Sequence, residues 1–307
     1  MRAADAYAYA RTRARRSTLL RQEQLDSLGA ATTRRELVSA LRAASIDAAD
    51  PDGARSACLS RFAADAAALI ASWPRPALLR AIAGLEEIEN LKLACRALRR
   101  GLEAGQWVPL WRPLGAVARL APEAFAGGAS LRAALDALPD QPYGEGARRA
   151  LRAHEADPAG FEMALDSMAS LELLAAGAAS APDARRLAEA EVRIRDLDAL
   201  CRSGARGLRS EDAAAATVLL RREWKPDVLQ AVARGQIPEA LRRRWPKATT
   251  PAELMASMRD AQRTACLRTF VVTPFRPASA AALLLLRREE MRSVISAVEA
   301  RFNAGGS

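Results

Sequence analysis

Between Leu85 and Leu102 the apolar residues Leu85, Ile88, Leu91, Cys95, Leu98 and Leu102 recur at intervals of 3, 3, 4, 3 and 4. That spacing puts all of them on one face of a helix with 3.6 residues per turn. Glu86, Glu89, Lys92, Arg96 and Arg100 fall on the opposite face. The acids Glu86, Glu87 and Glu89 precede the bases Arg96, Arg99 and Arg100, an order that complements the helix macrodipole. Gly101 supplies the left-handed residue that ends such a helix.

The pattern returns 106 residues later. Ile194, Leu197, Cys201, Arg202, Arg206, Gly207 and Leu208 match Ile88, Leu91, Cys95, Arg96, Arg100, Gly101 and Leu102. At a shift of 203 it returns more weakly, with Glu289-Glu290-Met291, Val294 and Val298, a stripe that continues to Phe302 before Gly305-Gly306. Capping boxes recur too: Thr33 with Glu36, and Thr250 with Glu253, each a Thr N-cap with Glu three residues on. Pro251 suits a first helical position, and Ser130 is a candidate cap of a diverged middle copy. The expected organisation is three helical units, 1–106, 107–209 and 210–307, each ending in an amphipathic helix closed by glycine. The boundaries fall at Trp107–Trp111 and Arg209–Asp212. In a chain rich in Ala, Arg and Leu, coincidental periodicity is the competing explanation. The shared Cys and Gly of the first two copies argue against it.

Composition supports an all-α fold. Half the residues are apolar but only 5% are aromatic, and the apolar half is mostly Ala and Leu rather than sheet formers. Three related units that each meet the next in the same way build a funnel or ring with pseudo-threefold symmetry.

Of the 46 basic residues only Lys92, Lys225 and Lys247 are lysine, and the net charge is +10. Such a surface favours acidic partners. Cys58, Cys95, Cys201 and Cys266 form no CxxC pair and read as buried small residues in a reducing compartment. The longest apolar run, Ala278 to Leu286, is less than half of the roughly 20 residues that span a bilayer. The start carries Arg11, Arg13, Arg15 and Arg16 without an apolar core, which excludes a secretory signal. Its Arg-rich, acid-poor character is shared with mitochondrial transit peptides, but the segment also reads as the start of a long helix.

Catalytic motifs are missing. No glycine is followed by lysine, so there is no P-loop, and GxGxxG, GxSxG and HExxH are absent. The single histidine, His154, lies near Glu155 and Asp157, without the ligand spacing of a zinc or iron site. It reads as part of a solvated helix end before Pro158. The acid clusters Glu86-Glu87-Glu89, Asp196/Asp198 and Glu289-Glu290 read as helix-start acids. Arg242-Arg243-Arg244 with Trp224 and Trp245 resembles a stacking platform for single strands, but no nucleic-acid motif supports it. No catalytic residue, cofactor or metal ligand is therefore expected. A basic helical nucleic-acid-binding or adaptor protein is the alternative function.

Three segments carry a family resemblance. They are Tyr9-Ala10-Arg11-Thr12-Arg13-Ala14 with Leu19-Leu20, Glu87-Ile88-Glu89-Asn90-Leu91-Lys92, and Phe275-Arg276-Pro277 through Arg288-Glu289-Glu290-Met291-Arg292-Ser293-Val294. In content and order they resemble the C-type subunits of the V-type (A-type) ATPases and ATP synthases, the family that includes the eukaryotic d-type subunits. Departures include Ser293 for the family's usual Asn, Val294 for Leu, and Asp196 where the first copy has Asn90. The resemblance implies a non-catalytic, cofactor-free connector in the central stalk of a rotary ATPase. It implies shaft subunits of the D and F type and the membrane proteolipid ring as partners, with no nucleic acid. The place implied is the cytoplasmic face of the membrane, in peripheral contact with its surface. Glu87, Glu89, Asn90, Arg96 and Arg202 are the candidate partner contacts.

Overall fold

A computed structural model describes residues 3–46, 51–128, 130–205, 217–273 and 276–302. Arg206 to Leu208, the boundary at Arg209–Asp212, Phe275 and Gly305-Gly306 lie outside the described residues, as does the side chain of Phe302. All regular structure among the described residues is helical. In chain order the α-helices are α1 (Ala3–Arg16), α2 (Gln22–Ala30), α3 (Arg34–Ala43), α4 (Pro51–Ser72), α5 (Ala77–Arg99), α6 (Ala104–Trp107), α7 (Glu123–Ala126) and α8 (Leu131–Asp136). They continue with α9 (Glu145–Ala153), α10 (Pro158–Ala178), α11 (Pro182–Ala205), α12 (Leu220–Glu223), α13 (Pro226–Ala233), α14 (Glu239–Arg244), α15 (Pro251–Val272) and α16 (Pro277–Phe302).

Six long helices form three consecutive hairpins: α4 with α5, α10 with α11, and α15 with α16. Proline marks every start. Pro51, Pro158, Pro251, Pro182 and Pro277 are first residues, and Pro76 immediately precedes α5. At the first helical position the missing N–H costs no hydrogen bond and the fixed φ suits the helix. The packing closes on itself: α4 on α5, α5 on α10, α10 on α11, α11 on α15, α15 on α16, and α16 back on α4. Helix α16 also touches α5 and α11 across the middle.

The expected stripes are buried except at Leu98 and Cys201, which are half-buried, and at Leu102. Leu85, Ile88, Leu91, Leu197 and Val294 are inaccessible to solvent, as are the Leu283 and Leu284 of the Ala278–Leu286 run. No described helix is long and apolar enough to cross a membrane. A second apolar cluster joins α11 to the third hairpin through Ile194, Leu197, Leu200, Leu229, Val232 and Leu254. Helix α5 ends as anticipated, with Gly101 at φ 63° and the Leu102 N–H reaching back to the Ala97 carbonyl at 3.0 Å. Leu102 lies beyond that stop and is half-exposed.

Two sequence expectations change. The acids Glu86, Glu87 and Glu89 do not start a helix, because α5 begins at Ala77; Glu289 and Glu290 likewise lie mid-way along α16, and Asp196 and Asp198 along α11. Their positions are set by ion pairs and hydrogen bonds, not by a helix dipole. Both capping boxes form, with Glu36 N–H on Thr33 Oγ1 and Glu253 N–H on Thr250 Oγ1 at 3.2 Å, and Ser130 caps α8. They open unlike elements, however. Thr33 starts the ten-residue α3, whereas Thr250 starts the 22-residue α15, since nothing interrupts the helix before Thr273.

Candidate partner-binding cavity

The polar face of α5 turns inward rather than to solvent. Glu86 is fully buried and accepts from Arg112 and from Arg288 Nε of α16 at 2.5 Å. Arg288 also donates through Nη1 to Glu191 of α11. One guanidinium thus ties α16 to both neighbouring hairpins. Burial pushes the Glu86 carboxyl up, but Arg112, Arg288 and Arg292 together override it and hold it well below the usual range. Glu191 is lowered by the same balance, with burial opposed by Arg288, Arg292 and Arg195.

A second cluster centres on Asp166 of α10. It accepts from Lys92 Nζ at 2.9 Å, Arg195 Nη2 at 2.8 Å and Arg202 Nη2 at 3.1 Å. Lys92 also meets Glu89 at 2.7 Å, and Arg96 forms a two-pronged pair with Glu162 at 2.6 Å. Burial raises the Asp166 carboxyl, yet its three cations outweigh this and leave it strongly depressed.

Between the clusters the cycle encloses space. One recess of about 450 Å³ lies among α2, α11, α15 and α16. Another of about 260 Å³ lies among α5, α10, α11, α15 and α16. Both are lined by Ile194, Arg259 and Arg292, which makes them lobes of one cavity. Burial, reinforced by Arg288, pushes the Arg292 guanidinium down to about 10.

A third ion cluster ties the start of the chain to α16. Arg287 donates to Asp65 at 2.8 Å, Glu290 at 2.6 Å and Thr18 Oγ1 at 2.6 Å, while the Leu20 N–H donates to Glu290 at 2.5 Å. Arg15 pairs with Asp65 as well. The arginines of the start therefore sit on a helix packed against α4 and α16.

The candidate residues divide by location. Glu89, Arg96 and Arg202 line the smaller lobe. Glu87 and Asn90 are buried behind it and are occupied within the chain. Glu87 accepts from Arg119 Nε at 2.7 Å and Tyr143 Oη at 2.8 Å. Asn90 clamps both backbone groups of Arg112, with Arg112 N–H on Oδ1 at 2.8 Å. Asp196 likewise holds backbone that begins 22 residues on, but only as an acceptor, from the N–H groups of Val218, Leu219 and Leu220. The sequence reasoning missed Asp166, Glu191, Arg195, Arg288 and Arg292. A usable signal was present on α16, where Arg287 to Glu290 interrupt an apolar helix far from both of its ends.

The other candidates resolve plainly. His154 closes α9, and Asp157 Oδ1 caps α10 by accepting from Ala159 N–H at 3.0 Å. No metal-ligand cluster exists among the described residues. The four thiols are free, and burial raises each of them. Trp224 and Trp245 pack on the second apolar cluster, with the Arg244 guanidinium 5.8 Å from the Trp245 ring centre.

A closed cycle of helical hairpins around a charged cavity defines the structural class, an all-α protein. Comparison with known families makes this specific. Residues 8–304 match the ATP synthase (C/AC39) subunit family, and the chain belongs to that family of V/A-type ATPase subunits. No curated protein matches it.

Proposed function

We propose that this protein is the non-catalytic connector of the central stalk, joining the rotor shaft to the membrane proteolipid ring and carrying torque for ion transport. The observation that supports this best is the closed packing cycle of α4, α5, α10, α11, α15 and α16, cross-braced by Arg288 between Glu86 and Glu191. A torque-bearing part needs stiffness between its two docking faces. Buried, multiply paired charges give it, because each is costly to separate. In this reading the three hairpins belong to three related units, 1–106, 107–209 and 210–307, around a pseudo-threefold axis. The Asn90 and Asp196 clamps, each reaching 22 residues on, favour that register for the first two. The cavity opening, with Glu89, Arg96 and Arg202, receives shaft subunits of the D and F type. Glu87 and Asn90 act on that contact indirectly, by fixing Arg112 and Arg119. The opposite face meets the proteolipid ring on the cytoplasmic side of the membrane, where the basic surface also contacts headgroups.

Affinity purification of the tagged chain from native membranes tests the reading. Shaft and proteolipid subunits are expected to co-purify. Recovery of the chain alone, or with nucleic acid resistant to physiological salt, contradicts it.

A further inference from the structure

The central cavity carries more positive charge than its carboxylates neutralise. Asp166 is shared by Lys92, Arg195 and Arg202, of which Lys92 also meets Glu89 and Arg202 also meets Asp198, and Glu86 is shared by Arg112 and Arg288. In the 450 Å³ lobe, Arg259 and Arg292 have no hydrogen-bond or ion-pair partner among the described residues. Arg288 commits Nε and Nη1 to Glu86 and Glu191, but its buried Nη2 has no acceptor. Ser293 and Ser296 line the same lobe with hydroxyls that no described protein group engages. The acids there are already committed, Glu191 to Arg288 and Gln262, and Glu289 to Arg263.

Such a set lacks an acceptor. Arg288 Nη2 is a buried N–H without one, unfavourable until an acceptor arrives, whereas Arg259 and Ser296 are exposed to solvent. Arg288, Arg292 and Ser296 follow at i, i+4 and i+8, so they project from one face of α16. Arg259 faces the same lobe from α15. Arg292, held down to about 10 by burial and by Arg288, remains a cation at neutral pH under a repulsion that an anion relieves.

We infer that this lobe is a binding site for a dissolved phosphate-class oxyanion, held by Arg259, Arg288 Nη2 and Arg292 with Ser293 and Ser296 as neutral donors. A carboxylate offers two coplanar oxygens and matches one guanidinium fork. Guanidinium groups from two helices, with two hydroxyls, match a tetrahedral ion whose oxygens point several ways. The donors line a recess between helices rather than a flat patch, which suits a small dissolved ion over a lipid headgroup. The site is complete within this chain and does not depend on the connector reading.

Calorimetric titration of the full chain at fixed ionic strength tests it, with inorganic phosphate and pyrophosphate as probes and malonate as the carboxylate control. One saturable site is expected for the phosphates, with malonate weaker. Arg292→Gln is expected to weaken phosphate by about tenfold or more, the loss of one charge-assisted contact. Its thermal midpoint without phosphate stays level or rises, since a repelled cation is removed. Arg259→Gln, from the other helix, tests the same site with little disturbance of the core. The proposal is overturned by any of four results: no saturable phosphate heat, unchanged affinity in both variants, malonate binding as tight as phosphate, or binding to phosphatidate vesicles without binding to the dissolved ion. Shaft and ring subunits are absent from this titration, so its failure leaves the connector reading standing.

Discussion

Arg288 is the residue on which three long helices converge, and its energetics are asymmetric. Two charges taken out of water repay their desolvation only through close pairing, so the pair itself adds modest net stability. Removing one partner is another matter. Arg288→Met leaves Glu86 and Glu191 buried with reduced compensation, and an uncompensated buried charge costs about 3–5 kcal/mol. Urea unfolding of that variant is expected to show a loss of this order; a loss under about 1 kcal/mol, the scale of an exposed pair, contradicts the burial argument. Acid adds a dependence of known sign. Glu86, Asp166 and Glu191 have lowered carboxyls, so their stabilisation is present above their unfolded values and is lost as pH falls. Glu290 behaves oppositely. Burial, opposed by Arg287, the Leu20 N–H and Arg263, raises it from 4.5 to about 7. The folded state then holds a proton that the unfolded chain has released, and stability falls as pH rises between those values, by up to roughly 3 kcal/mol. Stability measured from pH 5 to 7 should decline in the wild type and decline less in Glu290→Gln, where burial still raises Glu289 and Asp196; identical slopes count against the assignment.

At the scale of elements, the apolar stripes were readable because period is a local property of sequence. Leu85, Ile88 and Leu91 announce a helix and its buried face without knowledge of what covers it. The charged face was not readable in the same way. Glu86 beside Lys92 and Arg96 looks like an ordinary solvated face, and only the arrival of α10, α11 and α16 buries it. Those partners lie between 66 and 202 residues away, as in Arg96 with Glu162 and Arg288 with Glu86, beyond the reach of any local pattern. Capping shows the same limit: Thr33 and Thr250 announce a helix start equally well, yet one opens a short helix and the other a long one. Close approach of elements is likewise invisible beforehand. A Cβ on Gly204 of α11 would lie 1.7 Å from the Ala233 carbonyl oxygen at the end of α13. Gly→Ala inside a helix gains up to about 1 kcal/mol from propensity. Overpacking costs roughly 1–3 kcal/mol, and here the obstacle is backbone and cannot rotate aside. Gly204→Ala is therefore expected to be destabilising on balance in chemical denaturation, and a stabilised variant means α11 and α13 are further apart than this contact requires.

For the whole molecule, the expectation of three units and the family resemblance came from order along the chain, whereas the cavity came from closure of the cycle. Closure requires α16 to return to α4, a contact between the ends of the sequence that no repeat spacing specifies. In the proposed connector role, this closed body transmits rotation and performs no chemistry. Removing it should therefore separate hydrolysis from transport. The most direct measurement is ATP-driven ion uptake by sealed vesicles carrying the reconstituted ATPase, made with and without this chain, alongside ATP hydrolysis by the detached head. The account predicts that hydrolysis by the head persists without the chain, that uptake disappears, and that adding the chain back restores it. Unchanged ion uptake in its absence, or ATP hydrolysis by the isolated chain, would contradict the account.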